Sequence, residues 1–299
     1  MPPALELPAE TATVYLNRMT ARIESVFPHS ASWEMGQILR HVTGGAGFLE
    51  VFSGAAVLDA CARQRIESIV EARAGGTPLA HVLGRWPFLD MSLEVTPDTF
   101  IPRPETEGVV REFLKEAESE VLACRPLLKV LDLGCGTGAI ALGAARGCAR
   151  VRADAVEVSA AAAETALQNI RNYDCEARIR IVRMDYLHES WEAYLDGPYD
   201  AILANPPYIA DGDYNGLPAE VRREPRGALL GGVDGDEILK TIIARAGDWL
   251  VQGGRMILEM GMGQGEGLRS RVDEDACLRF LRFARDHQEL ERVMVIGRE

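Results

Sequence analysis

Asn205, Pro206, Pro207 and Tyr208 form a short segment whose residue types suit chemistry on a planar amide or amine. The segment follows the apolar run 199–204, which predicts a buried strand that ends in a turn. Two successive prolines have fixed φ angles and donate no backbone hydrogen bonds, so the chain leaves the sheet stiffly here. A rigid corner with one amide and one phenol ring suits a small, polar, planar target. The tetrapeptide alone is equally typical of a turn whose Asn caps the backbone.

A glycine-rich loop upstream favours the functional interpretation. It lies between a predicted strand, 128–133, and a predicted helix, 139–146, and glycine occupies every second position. Glycine adopts positive φ easily and lets backbone amides come close to a ligand. The residues predicted to bind a cofactor in this loop are Asp132, Gly134, Cys135, Gly136, Thr137 and Gly138.

Acidic residues at the ends of the next two predicted strands indicate which cofactor binds. Glu157 is placed to accept both hydroxyls of a ribose, Asp185 to accept the amino group of adenine, and Tyr186 to lie on the ring. The loop lacks the G-x-G-x-x-G spacing that binds a pyrophosphate. A nucleoside without phosphates fits S-adenosylmethionine better than NAD, and its cationic methionine end suits Asp132. We also expect Asn205 to contact the cofactor.

Strands and helices alternate along the chain after Pro126, which predicts an α/β fold with a mainly parallel, doubly wound sheet. In such a sheet, ligands bind beyond the carboxyl ends of the strands, where the strand order reverses. The predicted strands are 128–133, 151–158, 179–184, 199–204, 255–260, 278–283 and 291–297, and the predicted helices between them are 139–146, 160–172 and 235–250.

The remaining chain predicts two further parts. Residues 9 to about 74 show helical periodicity, with Ser53 as the N-cap of the last helix, and we predict a helical domain over residues 1–76. From the residues alone, this domain could either cover the main domain or grip a macromolecular substrate. Residues 77–98 predict a β-hairpin linker, and residues 99–299 form the predicted catalytic domain.

Phe100 and Arg103 precede a helix that is predicted to start near Thr106. Pro102 and Pro104 hold Arg103 in an extended loop, which is typical of a binding site more than of a solvated surface charge. We therefore predict that Phe100 and Arg103 contact the substrate.

The amino-acid composition of the chain argues against several classes of binding partner. The formal net charge of -13 argues against binding mainly to nucleic-acid phosphates. The six cysteines form no Cys-x-x-Cys pair and the five histidines are dispersed, so we expect no metal site and no disulfide frame. No apolar run approaches the roughly 20 residues needed to span a bilayer. We expect a soluble, cytoplasmic monomer that binds neither membranes nor nucleic acids directly.

Several segments together resemble the bacterial release-factor glutamine N(5)-methyltransferases. These segments are Pro-Leu-Ala-His-Val-Leu-Gly at 78–84, Ile-Pro-Arg-Pro-Glu-Thr-Glu at 101–107, the glycine loop, Asn-Pro-Pro-Tyr at 205–208 and Val-x-x-Glu-Pro-x-x-Ala-Leu at 221–229. The resemblance implies a class I S-adenosylmethionine-dependent methyltransferase fold with a seven-stranded sheet. It also implies that the helical domain of residues 1–76 is a small bundle that recognises the substrate. It also implies methyl transfer to the glutamine amide nitrogen in the Gly-Gly-Gln motif of class I peptide chain release factors, which leaves S-adenosylhomocysteine.

The resemblance further implies roles for the proline corner. Asn205, through its side-chain oxygen, and the Pro206 carbonyl would each accept one N–H of the glutamine amide. Tyr208 would pack against the amide plane and exclude water, and Pro207 would line the substrate site.

Three alternatives stay open from the sequence. The same corner serves adenine N6-methyltransferases acting on DNA or RNA, although these need a basic target-recognition region. A related enzyme could methylate a glutamine of a ribosomal protein. A non-catalytic assembly protein could retain the fold, but it would be expected to show damage at Asn205 or in the glycine loop.

Overall fold

The computed structural model describes residues 11–53, 56–188 and 190–299. The chain divides into two compact units, one ending at Gly84 and the other spanning Arg85–Glu299. In the described ranges, no helix combines the length and the apolar character that crossing a bilayer requires.

The first unit is helical up to its end at Gly84. Its helices are α1 (Ala12–Glu24), α2 (Ala31–Thr43), α3 (Phe48–Phe52), α4 (Ala60–Ala74) and α5 (Leu79–Leu83). The sequence predicts a β-hairpin linker over 77–98, but residues 79–83 form a helix and the hairpin begins only at Arg85. Helices α2 and α4 are joined by an ion pair between Glu34 and Arg73, 2.6 Å apart and almost fully buried.

The predicted N-cap of α4 is wrong. The helix starts after Asp59, whose carboxylate accepts a hydrogen bond of 2.7 Å from the backbone N–H of Ala62. Ser53 instead follows the end of α3. Asp is well suited to the N-cap because its carboxylate accepts a hydrogen bond from an otherwise unpaired helix N–H. Its negative charge also interacts favourably with the positive end of the helix dipole.

The second unit is an α/β domain that opens with an antiparallel hairpin, in which Arg85 pairs with Glu94. Its strands are β1 (Arg85–Phe88), β2 (Met91–Glu94), β3 (Leu128–Leu133), β4 (Val151–Glu157), β5 (Ile179–Arg183), β6 (Tyr199–Ala204), β7 (Ile209–Ala210), β8 (Leu230–Gly232), β9 (Leu250–Glu259), β10 (Leu278–Arg285) and β11 (Glu291–Arg298). Its helices are α6 (Glu107–Ala117), α7 (Glu120–Ala123), α8 (Ala139–Gly147), α9 (Ala160–Asn172), α10 (Glu237–Trp249) and α11 (Gly265–Asp273).

Seven of these strands form one sheet in the order β10-β11-β9-β6-β3-β4-β5. Neighbours are parallel from β9 to β5, while β11 runs antiparallel to both β9 and β10. The chain moves from β3 through β4 to β5 and then returns to the other side of β3 with β6. Strand order therefore reverses beside β3, and the predicted class I methyltransferase architecture is confirmed.

Two apolar clusters pack on this sheet. The first holds Phe113 of α6 and Leu142 of α8, and the second holds Trp191, Ile243 of α10 and Leu268 of α11. Both faces of β6 are buried, which explains why its sequence is apolar from Ala201 to Ala204. Packing of these clusters against the sheet fixes where β3, β4 and β6 end. The residues that follow these strand ends form the candidate site.

Candidate active site

A cavity of about 290 Å³ opens at the carboxyl ends of the strands where their order reverses. Its wall includes the glycine loop after β3, the end of β4, the proline corner after β6 and the loop before α6. The lining residues are Asp98, Phe100, Pro102, Thr106, Gly134, Cys135, Gly136, Thr137, Ala139, Ile140, Glu157, Val158, Ser159, Ala162, Tyr186, Asn205, Pro207, Pro225, Gly227 and Ala228.

The glycine loop has the backbone that its spacing predicts. Gly134, Gly136 and Gly138 have φ angles of 73°, 55° and 79°, in the left-handed region that side chains rarely adopt. A side chain on Gly136 would meet no atom within 4 Å, so its backbone is open toward the cavity. Cys135 and Thr137 also line the cavity, and burial raises the pKa of the Cys135 thiol.

Glu157 connects the glycine loop to the start of α9. One carboxylate oxygen accepts a hydrogen bond of 2.9 Å from the N–H of Gly136, and the other accepts one of 2.9 Å from the N–H of Ser159. The side chain is buried and lines the cavity. Since each carboxylate oxygen can accept a second hydrogen bond, Glu157 could bind two hydroxyl groups of a ligand.

Asp132 lies behind the loop rather than in the cavity lining formed by the described residues. Its Oδ2 accepts a hydrogen bond of 2.9 Å from the N–H of Ala141 in α8. Its Oδ1 has no hydrogen-bond partner among the described residues. Burial raises the pKa of Asp132 to about 7, and the nearby charge of Glu157 adds to the shift. The structure thus gives Asp132 a place in holding the loop on α8.

The two residues after β5 differ in position. Tyr186 is buried and lines the cavity. Its ring lies close to Gly134, because a Cβ atom added to Gly134 would be 3.6 Å from the nearest ring atom. Its backbone oxygen accepts a hydrogen bond of 2.9 Å from the indole of Trp191. Asp185 is half-buried and outside the described lining, with one oxygen accepting from the N–H of Leu187.

The proline corner is only partly on the cavity wall. Asn205 and Pro207 line the cavity, whereas Pro206 and Tyr208 are outside the described lining. The side-chain nitrogen of Asn205 donates a hydrogen bond of 3.0 Å to the hydroxyl of Thr106. The side-chain oxygen of Asn205 is therefore the amide atom that is left to accept a hydrogen bond from a ligand.

The loop before α6 supplies the facing wall through Phe100 and Pro102. Arg103 is outside the described lining: its guanidinium pairs with Glu224 and stacks on the Phe100 ring, 5.0 Å from the ring centre. Glu224 also accepts a hydrogen bond of 2.9 Å from the N–H of Ile101. Arg103 thus holds the loop in place, and its predicted contact with substrate stays a prediction.

Sequence reasoning from residue types did not identify Thr106, Glu224 or Glu259 as parts of the site. Glu259 ends β9, and its carboxyl accepts a hydrogen bond of 3.1 Å from the Tyr208 hydroxyl. A signal was available, because Glu259 follows a buried apolar run directly, as Glu157 does. Thr106 and Glu224 lie in motifs of the family resemblance but had no assigned role.

These groups fit a nucleoside that carries a positive charge and no phosphate. Backbone amides without covering side chains and the carboxylate of Glu157 form one wall, and the ring of Tyr186 forms another. The unpartnered oxygen of Asp132 lies behind the loop and can accept a further hydrogen bond. S-Adenosylmethionine has this chemistry.

Comparisons with known proteins agree with this geometry. A family model described as the methyltransferase small domain matches residues 116–219. The release factor glutamine methyltransferase of Coxiella burnetii is 35% identical over 242 residues, covering 81% of this chain and 82% of that protein. The release factor glutamine methyltransferase of Burkholderia pseudomallei is also 35% identical, over 86% of this chain and 84% of its own.

A solved structure shows the same fold. The hMettl16 catalytic domain in complex with MAT2A 3'UTR hairpin 1 superposes with a TM-score of 0.54 at 14% identity, over 81% of each chain. This likeness concerns the fold alone. On the sequence relatives, the chain belongs to the release factor glutamine methyltransferase family, whose methyl donor is S-adenosylmethionine.

Proposed function

We propose that this chain methylates the side-chain amide nitrogen of the glutamine in the Gly-Gly-Gln motif of class I peptide chain release factors. The observation that supports the proposal most strongly is the position of Asn205, on the wall of the cavity that the glycine loop also lines. The names of the relatives support the choice of a release factor as substrate. The net charge of -13 speaks against a DNA or RNA substrate.

Asn205 would bind the substrate amide through its side-chain oxygen. Its nitrogen is already engaged by Thr106, so the oxygen can accept one N–H of the glutamine. We assign the second N–H to the backbone carbonyl of Pro206. A Pro-Pro corner has little conformational freedom, which reduces the entropy lost when these two acceptors bind the substrate.

Two acceptors suit the chemistry of an amide nitrogen. The lone pair of this nitrogen is delocalised into the carbonyl, so positive charge develops on the nitrogen as it attacks. Acceptors aimed at its two hydrogens stabilise that charge more in the transition state than in the ground state. Alignment of nitrogen and methyl contributes further, up to roughly 7–11 kcal/mol in well-oriented reactions.

Glu157 and the loop amides would bind the methyl donor, and Tyr186 would lie against its adenine. S-Adenosylmethionine would supply a methyl group on a positively charged sulfur. As the N–C bond forms, the C–S bond breaks to give S-adenosylhomocysteine, and the amide nitrogen loses one N–H proton to solvent. Phe100 and Pro102 on the facing loop would exclude water from the reacting atoms. We further propose that the first helical unit recognises the release factor and that the protein acts as a cytoplasmic monomer.

The test is methylation of a purified release factor, followed by mass spectrometry of the peptide that contains Gly-Gly-Gln. One added methyl group on that glutamine, and none on a factor with glutamine replaced by alanine, is expected. Parallel incubations with ribosomal proteins and duplex DNA address the alternative substrates. Methylation of the DNA or a ribosomal protein, with the release factor unmodified, would contradict the proposal.

A further inference from the structure

The side chain of Gln264, outside the described cavity lining, makes three hydrogen bonds beside the proline corner. Its amide nitrogen donates to the backbone oxygen of Tyr208, over 3.0 Å, and to that of Gly235, over 3.1 Å. Its side-chain oxygen accepts a hydrogen bond of 2.8 Å from the N–H of Gly261. One side chain thus joins the segment after β6, the loop before α10 and the loop after β9.

The partners of Gln264 allow its amide a single orientation. A backbone carbonyl can only accept a hydrogen bond, and a backbone N–H can only donate one. The amide nitrogen must therefore face Tyr208 and Gly235, and the amide oxygen must face Gly261. An inverted amide would set an acceptor against two acceptors and a donor against a donor. The three backbone segments and the Gln264 side chain thus fix one another.

The proline corner depends on such ties because it has few of its own. Pro206 and Pro207 have no N–H, so neither can donate a hydrogen bond to the sheet. In the described chain, the next N–H with a main-chain partner is that of Ile209, which donates to the oxygen of Leu229 over 2.9 Å. The Tyr208 carbonyl, which Gln264 binds, therefore lies where the corner is tied back to the rest of the domain.

Glycines pack closely against the backbone of the corner. A Cβ atom added to Gly235 would lie 2.7 Å from the backbone oxygen of Tyr208, and one added to Gly231 would lie 2.7 Å from that of Pro207. Both distances are too short for a side chain to fit without a shift of the backbone. Contact with these glycines resists movement of the corner toward them, and stretching of the Gln264 hydrogen bonds resists movement away.

We propose that Gln264 is a positioning residue that fixes the proline corner, and with it the Pro206 carbonyl and the Asn205 side chain. The inference rests on the proposed function, because these two groups are the proposed acceptors for the substrate amide. The carbonyl that Gln264 binds lies two residues after Pro206, and the fixed φ angles of the prolines carry its position along the corner. Gln264 itself contacts neither substrate nor cofactor in this role.

The test compares two variants of Gln264. Gln264→Met keeps the length of the side chain without its hydrogen bonds, and Gln264→Glu keeps the acceptor for Gly261 but turns a carboxylate toward two carbonyl oxygens. Gln168→Met and Gln168→Glu are the matched controls, since Gln168 is also partly buried but its amide donates to Asn172 on the surface of α9.

For each variant, kcat, KM for the release factor and the Kd for S-adenosylmethionine are measured. Exchange of two backbone N–H groups is followed by NMR without any substrate. The N–H of Ile209 reports on the exit of the corner, and the N–H of Cys135, which donates to Val156 over 2.8 Å, reports on the glycine loop.

Both Gln264 variants are expected to lower kcat at least about tenfold, because a displacement of the acceptors misaligns the amide nitrogen and the methyl group. The Kd for S-adenosylmethionine should stay within about twofold of wild type, since other hydrogen bonds hold Glu157 and the glycine loop. The N–H of Ile209 should exchange at least about tenfold faster, with the exchange of Cys135 unchanged. The Gln168 variants should match wild type throughout. Gln264→Glu decides alone if Gln264→Met does not fold.

The proposal is wrong if both Gln264 variants keep kcat within about twofold of wild type, or if kcat falls while Ile209 exchanges no faster. It is also wrong if the exchange of Cys135 and the Kd rise by the same factor, because Gln264 would then support the domain as a whole. A wild-type protein that does not methylate the release factor would contradict the proposed function instead. In that case the exchange of Ile209 still decides whether Gln264 holds the corner.

Discussion

The ion pair between Arg103 and Glu224 joins two walls of the cavity, and its removal should loosen both. The Glu224 side chain is 1% exposed and that of Arg103 is 31% exposed. Burial raises the pKa of Glu224, and the guanidinium of Arg103 acts against that shift. Replacing Arg103 by leucine would leave a buried carboxylate without its counter-ion.

The expected cost lies between two known limits. Losing one partner of a fully buried pair costs about 3–5 kcal/mol, whereas an exposed pair contributes about 0–1 kcal/mol. Because a third of Arg103 is in water, we expect Arg103→Leu to lower the free energy of unfolding by about 2 kcal/mol. Glu224→Gln keeps an acceptor for the N–H of Ile101, so the double variant should recover part of this loss.

A double-mutant cycle followed by urea unfolding measures the coupling directly. We expect a coupling free energy of about 1.5 kcal/mol or more for Arg103 and Glu224. The control cycle uses Arg85 and Glu94, which are 3.4 Å apart with side chains 53% and 37% exposed, and should give less than about 0.5 kcal/mol. The reasoning is refuted if the two cycles give equal coupling.

The pH dependence of the free energy of unfolding gives a second test of the Arg103–Glu224 pair. In Arg103→Leu, Glu224 loses the group that lowers its pKa, so its folded pKa rises further above the unfolded value. The folded variant then retains a proton that the unfolded chain has lost, and its free energy of unfolding falls as pH rises. Arg103→Leu should therefore differ from wild type more at pH 8 than at pH 5, and a constant difference would contradict this explanation.

Two other variants test the cofactor wall. Glu157→Ala removes the proposed ribose acceptor and the hydrogen bonds to the N–H groups of Gly136 and Ser159. Calorimetric titration should therefore show that the affinity for S-adenosylmethionine is reduced tenfold or more. An affinity equal to that of wild type would contradict the assigned role of Glu157. Burial raises the pKa of Asp132 from 3.8 to about 7, so between these pH values the folded protein retains a proton that the unfolded chain has lost. The free energy of unfolding therefore falls as pH rises through this range, by at most about 1.4 kcal/mol per pH unit. Asp132→Asn should flatten this slope in denaturant titrations, and an unchanged slope would show that Asp132 does not titrate there.

The sequence predicts the central strands β3 and β6 well because nearly all their residues are buried. The largely apolar runs 128–133 and 199–204 match β3 and β6 to the residue. Their carboxyl ends were predictable for the same reason, and so were the positions of Glu157 and Asn205. Helix α11 was not predicted, because Gly265 and Gly267 obscure its periodicity and its order depends on packing against β10 and α10.

Side-chain partners within the site were harder to predict. Spacing indicates that Asp132 and Arg103 are near a ligand, but it does not show that Ala141 and Glu224 already engage them. These pairs join residues that are 9 and 121 positions apart in the sequence, and they depend on side-chain directions that periodicity does not contain. The hydrogen bond from Asn205 to Thr106 is of the same kind.

The most direct test is the role of Asn205 as the acceptor for the substrate amide. Asn205→Ala and the control Asn172→Ala, at an exposed residue of α9, are assayed for methylation of an intact release factor and for binding of S-adenosylmethionine. Asn205→Ala should lower kcat at least a hundredfold, as loss of an aligned polar group in a dry site does, while the Kd for S-adenosylmethionine changes less than about threefold. Methylation by Asn205→Ala at the rate of Asn172→Ala would contradict the proposed mechanism.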